Sequence, residues 1–496
     1  MALLAMDEWY DFARQTNWAP TYVDEKDLFP PELSDPFGID ISEWEKFDEP
    51  YKVSYRQYVQ TQREKDVGAY TVKAALSRSK FFENAAPNWK ALMGLHFGAV
   101  PFVEFASSSA FARMTRFGRA PGMRNMASFG TLDEIRHAQI QVYFAYEFLK
   151  HDRVFDWAHK APRTDNWIIV SERHTFDDLE HTRDAVSSAI MTNFAFEQAF
   201  TNLQFIALSA DAARYGDHSF ATMLQSIQSD EARHSQIGTP LIVTMLENGK
   251  KAEAQQLIDV SFWRCWKQFS ALSGVSIDYY TPLEHREYSF KEFMREWVED
   301  QFLRNLKALG IDTPWYWDHF VKDVETFHHA QQLGVYLYRP TEWWRPVAGV
   351  SPNEREWLEK KYPGWNDTYG KVWDVIIDNI LSGNAEKTIP ETAPMLCNMC
   401  GLELTGVAGK GWDVKSHYLD YEGRRYHFCS PVERWIFELE PDRYKGHKSI
   451  IDRIVDGTVP PGPDGLYEYM DMAPEERGCC GEDYEWAQAY RQRAAE

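Results

Sequence analysis

The sequence predicts a mainly α protein: a large helical bundle followed by an irregular, partly β C-terminal region. Three observations predict it. From about residue 86 to 340 apolar residues recur at helical spacing, and alternating strand patterns are few. The 496 residues are 15% aromatic, with 19 Trp, which suits a densely packed core or a large subunit interface. After about 340 the pattern gives way to Pro340, Pro346, Pro352 and Pro363-Gly364.

Residues 1–85 form an N-terminal arm of Pro-rich extended sequence with one polar helix near Tyr58–Ser79. The core, 86–340, reads as helices at roughly 87–116, 121–150, 165–181, 184–213, 216–247, 251–274, 287–309 and 314–336. Turn signals separate them at Pro121-Gly122, Gly216-Asp217, Pro282 and Gly310. In the C-terminal region, 341–496, a small Cys-containing unit at about 395–445 carries a hairpin strand near Tyr421–Cys429. Pro460-Pro461-Gly462-Pro463 begins a tail.

Charge narrows the function. Lys and Arg number 53 against 75 Asp and Glu, a net −22, so no nucleic-acid partner is expected. Met1–Met6 runs straight into Asp7-Glu8, so no secretory signal is expected. The most apolar stretch, Val186–Ala213, carries Glu197 in its middle and reads as a core helix, not a membrane span. The six Cys imply a reducing, cytoplasmic setting rather than a disulfide framework.

One motif repeats. Asp133-Glu134-Ile135-Arg136-His137 and Asp230-Glu231-Ala232-Arg233-His234 are both D-E-x-R-H, with Glu and His at i and i+3 on one helix face. Glu134 lies 30 residues after Glu104, and Glu231 lies 34 after Glu197; both upstream glutamates sit in apolar helical sequence. Each interval fits half of two helices and a turn. The chain thus offers two helix pairs, each giving one Glu and one Glu-x-x-His. That is the ligand set of ferritin-like di-iron bundles. Hard carboxylates suit iron and bridge two ions, and imidazoles complete the spheres while leaving places for O2. Four negative charges nearly balance two ferrous ions, which makes their burial tolerable.

A single Glu-x-x-His is ordinarily a solvated, salt-bridging face; the repeat behind two buried-looking glutamates is what points to metal. Asp133 and Asp230 are placed to orient a His from the opposite pair, with Arg136 and Arg233 pairing with those aspartates. His328-His329 reads as structural, His174 and His181 as capping or lining a helix end, and His96 as core. Thr201, one turn after Glu197, either back-bonds to a carbonyl or handles protons over the oxygen-binding face. Asn202 and Gln228 are polar residues on the same helices. Val100, Val103, Ser107, Thr192, Phe196 and Phe205, with Phe176 from the intervening helix, flank the metal-facing stripe. They outline an apolar pocket for a small hydrocarbon. Cys397-Asn-Met-Cys400 with Cys429 suggests half of a zinc ribbon, with Glu433 where a further Cys would sit. A structural zinc and a metal-free relic of such a unit both fit.

These residues resemble the α subunit of the hydroxylase of bacterial multicomponent di-iron monooxygenases, in the four-component toluene, alkene and isoprene group. The likeness also runs through Trp9-Tyr10-Asp11, Gln62-Arg-Glu-Lys-Asp66, Tyr279-Tyr-Thr-Pro282, Pro314-Trp-Tyr-Trp-Asp318 and Tyr362-Pro-Gly-Trp365. The resemblance implies that Glu104, Glu134 and His137 bind one iron, and Glu197, Glu231 and His234 the other. It makes Thr201 the active-site threonine and ties Asn202 and Gln228 to a small effector protein. It further implies a dimer of three-subunit protomers with β and γ subunits, fed by an NADH reductase and a Rieske ferredoxin. The reaction implied is insertion of one atom of O2 into an alkene or an aromatic ring. Val103, where the aromatic branch would carry Gly or an acid, is more like the alkene branch. The radical subunit of ribonucleotide reductase shares the ligands but would carry Tyr where Gln141 stands. Ferritin-like iron-storage chains are far shorter, and a silent scaffold subunit would not keep a full ligand set.

Overall fold

Ser54 opens the first long helix by accepting the Gln57 N–H on its side chain, and α1 (Tyr55–Leu76) follows. This computed structural model describes residues 8, 10–12, 20–201, 203–384, 396–402, 417–469, 472–473 and 485–495. Pro87 and Pro121 sit in the first turns of α2 (Pro87–Phe117) and α3 (Pro121–Leu149), where a missing N–H costs nothing. These two long helices pack along their length. Gly130 permits it: a Cβ there would meet the Phe111 ring at 2.6 Å.

The next elements are α4 (Trp167–Phe176), α5 (Ala185–Ala189), α6 (Leu208–Tyr215) and α7 (His218–His234). Asp217 caps α7 by accepting the Phe220 N–H at 3.0 Å. Behind them lie α8 (Gly238–Glu247) and α9 (Lys251–Phe269). α1 packs on α7, and α9 packs on the stretch between α5 and α6. Among the described residues one large apolar core runs through the bundle into the C-terminal region, with Trp89, Trp263, Trp266, Trp343, Trp344 and Trp373 fully buried. Among the described residues no helix is long and apolar enough to cross a membrane.

The mainly α class is as the sequence predicts, and several boundaries differ. Between α5 and α6 the chain forms wide π turns at Ile190–Phe200 and Leu203–Ala207, and α4 ends in another at Asp177–His181. Apolar periodicity does not distinguish a π turn from an α turn when every face is buried. The helix expected over 216–247 breaks into a 3₁₀ turn at Ser235–Ile237, directly after His234. The one expected over 314–336 splits into Trp317–Asp323 and Phe327–Tyr338.

The C-terminal region is more helical than its prolines suggest, because Pro352 and Pro431 occupy first turns of helices: α10 (Pro352–Lys361) and, further on, α11 (Pro431–Leu439). Its hairpin pairs β1 (Tyr418–Tyr421) with β2 (Arg424–His427). Glu422 and Gly423 both take positive φ at the turn, as a two-residue hairpin requires.

Candidate metal centre

Glu104 comes from α2, Glu134 and His137 from α3, Glu197 from the π stretch, and Glu231 and His234 from α7. All six side chains are buried, and they converge. Nδ1 of His137 lies 3.5 Å from Glu104, 3.5 Å from Glu134 and 3.1 Å from Glu231. Nδ1 of His234 lies 3.0 Å from Glu134, 3.6 Å from Glu197 and 3.9 Å from Glu231. Glu134 and Glu231 each turn one oxygen to one histidine and the other oxygen to its mate. They join two donor groups, Glu104-Glu134-His137-Glu231 and Glu134-Glu197-Glu231-His234.

The histidines point their other nitrogens outward. His137 Nε2 meets Asp230 at 3.3 Å, and His234 Nε2 meets Asp133 at 3.0 Å. Each aspartate therefore orients the histidine of the opposite helix. Arg136 reaches Asp230 at 3.4 Å, and Arg233 pairs with Asp133. Asn193 donates to Glu197 Oε2 at 2.6 Å.

The donor set fits a pair of divalent cations. Nδ1 of both histidines and Glu231 Oε1 are buried with no hydrogen-bond partner among the described residues. Four carboxylates share the space with the two imidazoles. Without a cation, burial pushes the Glu104 carboxyl up to about 7 and raises Glu197 and, more strongly, Glu231. Burial also acts on Glu134, but the adjoining His137 and His234 imidazoles hold it down at about 2. Burial opposes a charge on either imidazole, yet their carboxylate partners hold both well above the usual histidine range.

Beside the donors lies a mostly apolar cavity. Val100, Val103, Ser107, Phe176, Phe196, Phe205 and Thr201 all reach it. Thr201 donates its hydroxyl to the Glu197 carbonyl at 2.6 Å, so its oxygen is left as an acceptor. Thr192, expected on the lining, is buried but does not line the cavity. Asn193 holds the face toward Glu197, which turns its neighbour Thr192 aside. Asn202 lies outside the described residues, and Gln228 sits on α7 three residues before Glu231.

Sequence reasoning missed several participants. Glu172 lines the cavity, and burial pushes its carboxyl to about 8. Glu180 accepts the Ser107 hydroxyl at 2.9 Å, and burial raises it well above the usual range, aided by the charges of Glu134, Glu197 and Glu104. The four-residue spacing of Glu172, Phe176 and Glu180 was the available signal. Gln141 donates to Glu104 Oε1 at 2.8 Å and accepts from His96, whose other ring nitrogen is bonded to Gln204 at 2.6 Å. Burial depresses His96 to about 3, so this chain is carried by a neutral imidazole. His328 and His329 belong to a separate buried group, bonded to Asp278 at 2.8 Å and to the Tyr279 hydroxyl at 2.7 Å.

In the C-terminal unit the sulfurs of Cys397, Cys400 and Cys429 gather, with Cys400 and Cys429 3.7 Å apart. Cys397 Sγ accepts the backbone N–H groups of Met399 and Cys429, each at 3.4 Å. Glu433, on α11, takes the Trp263 N–H at 3.1 Å on one oxygen, and its other oxygen is buried without a partner among the described residues. Burial and the nearby Cys397 push its carboxyl to about 8.

The fold and these six side chains define a helical bundle whose buried carboxylates and imidazoles could hold two metal ions. The profile described as methane/phenol/alkene hydroxylase matches residues 18–249, and that of the YHS domain matches 410–448. The chain is 42% identical over 494 residues to the oxygenase component α subunit of the alkene monooxygenase system of Xanthobacter autotrophicus, covering 99% of this chain and 98% of that one. It is 28% identical to the oxygenase component of phenol 2-monooxygenase from a Pseudomonas species, over 88% of this chain and 84% of the other. A crystal structure of phenol hydroxylase from Pseudomonas sp. OX1 superposes with a TM-score of 0.86 at 25% identity, covering 96% of this chain and 99% of that one. The chain belongs to the methane, phenol and alkene hydroxylase family, the di-iron oxygenase α subunits of multicomponent hydrocarbon monooxygenases.

Proposed function

We propose that the chain is the oxygenating subunit of a monooxygenase that epoxidises small alkenes. The observation that carries this reading is the 42% identity, over 99% of the chain, to an alkene monooxygenase α subunit. The apolar side chains around the cavity beside the carboxylate cluster suit a small hydrocarbon.

Glu104, Glu134 and His137 would hold one iron, and Glu197, Glu231 and His234 the other, with Glu134 and Glu231 reaching both. The iron pair, when bound, supplies the two-electron reduction of O2 that delivers one oxygen atom to the alkene and releases the other as water. The protein does the rest. Asp133 and Asp230 fix the tautomer and tilt of the histidines. Val100, Val103, Phe176, Phe196 and Phe205 hold the alkene and exclude water. The Thr201 oxygen, with its proton committed to the Glu197 carbonyl, accepts a hydrogen bond from a group in the cavity. Asn202 and Gln228 would respond to an effector protein. The assembly is a dimer of three-subunit protomers with β and γ subunits, receiving electrons from NADH through a reductase and a Rieske ferredoxin.

The test supplies the reconstituted complex with propene and toluene together under ¹⁸O-labelled O2. Labelled epoxide as the main product is expected; mostly labelled cresols would overturn the alkene reading. Val103→Gly should open the cavity and raise toluene turnover relative to propene by at least about tenfold. An unchanged ratio would remove Val103 from specificity.

We also propose that Cys397, Cys400 and Cys429, whose sulfurs gather in one buried cluster, supply three ligands of a structural zinc. Metal analysis should find about one zinc per chain, and Cys400→Ser should reduce it to about none with the iron content retained. Zinc absent from the unmodified protein would leave the thiol cluster metal-free.

A further inference from the structure

α1 lies against the two helices that carry the Glu-x-x-His pairs, and it touches both aspartates behind the histidines. Gln62 Nε2 donates to Asp133 Oδ1 and to Asp230 Oδ1, at 2.7 Å each. Otherwise the two aspartates are surrounded differently. Asp230, behind His137, receives three cations: Lys65 at 2.5 Å, Arg233 at 3.1 Å and Arg136 at 3.4 Å. Asp133, behind His234, receives one cation, Arg233, and the neutral Tyr58 hydroxyl at 2.8 Å. Lys65 stands only 17% exposed, so water screens its charge weakly.

This asymmetry has a chemical consequence. An imidazole that donates its outer N–H to a carboxylate becomes a more basic metal ligand. A cation on that carboxylate draws off the charge the N–H would feel. His137 is therefore the weaker donor of the pair, in keeping with its longer bond to aspartate, 3.3 Å against 3.0 Å. A weaker donor favours the lower oxidation state, and so does the positive charge of Lys65 itself.

We infer that Lys65 makes the two metal positions unequal, so that the one held by His137 accepts the first electron. The inference rests on the di-iron reading. With iron bound, the step would be a one-electron transfer from an external iron–sulfur donor: the donor would lose one electron, the ferric ion held by His137 would take it up, and no bond in the protein would break. Lys65 is a positioning residue in this, acting through Asp230 and His137 rather than on substrate.

The iron-loaded holoenzyme is titrated with reducing dyes, and the half-reduced state is followed by electron paramagnetic resonance and Mössbauer spectroscopy. Lys65→Met should lower the first midpoint potential and narrow the gap between the two reductions, and Lys65→Arg should restore both. Tyr58→Phe, which frees Asp133 to pull harder on His234, should widen the gap. Full iron content with an unchanged gap in Lys65→Met overturns the inference and leaves the di-iron reading standing. Unmodified protein that binds no iron overturns both. If Lys65→Met fails to fold, Tyr58→Phe decides alone, and a gap that does not widen overturns the inference.

Discussion

Glu134→Ala should lose both irons, not one. The Glu134 carboxylate stands 3.0 Å from His234 Nδ1 and 3.5 Å from His137 Nδ1, so it serves both donor groups. It is also the carboxylate that those two histidines hold ionised, at about 2, while Glu104 sits at about 7 without a cation. Removing it takes away the charge most ready to meet a metal. Glu104, by contrast, belongs to one donor group alone. Glu104→Ala should weaken chiefly one position and leave about half of the iron. Even changes to the partners of ligands cost 10–100-fold in metal affinity or activity, as an order of magnitude, so loss of a bridging ligand should leave turnover below about one-hundredth. Iron per chain, measured beside circular dichroism to check the fold, separates the two outcomes. Two irons retained in Glu134→Ala would show that Glu231 alone can join the pair.

The repeated D-E-x-R-H was legible because a helix obliges Glu and His at i and i+3 to share a face, whatever the tertiary structure. The upstream glutamates were legible because a charge in an otherwise apolar helix needs a reason. The cavity wall followed from the same logic, since residues one turn from a ligand on a helix neighbour it in space; Val100 and Ser107 are such residues. That logic stops at the helix. Gln62 meets Asp133 across 71 residues and Asp230 across 168, and nothing local in Gln62-Arg-Glu-Lys-Asp66 announces it. Thr192 went astray for a related reason: in a helix buried on all sides, apolar pattern does not say which face turns to the centre. The π turns around Glu197 and at Asp177–His181 escaped as well, because one extra residue per turn leaves no mark on composition. In the C-terminal region Pro352 read as a breaker but acts as a helix starter.

Metal uptake by the centre should weaken steeply as pH falls. The sign follows from the metal-free state. Burial places Glu104 at about 7 and raises Glu197 and Glu231, while His137 and His234 are held above their usual range. Near neutral pH the empty donor set therefore retains several protons, and Glu134, at about 2, holds none. Iron needs ionised carboxylates and an unprotonated Nδ1 on each histidine, so binding must expel those protons. Each proton expelled makes the apparent affinity fall tenfold per unit drop in pH, and two give about 100-fold. Competition with a chelator at pH 8, 7 and 6 measures the slope. Calorimetry in buffers of different ionisation enthalpy counts the protons directly. Glu231→Gln should make the slope shallower by up to one proton as well as weakening binding, because a carboxyl held protonated without metal is then gone. A slope near zero would mean that the donors stand ionised before the metal arrives. The four negative charges would then have to be balanced within the bundle, with Lys65, Arg136 and Arg233, gathered behind the histidines, as the nearest source.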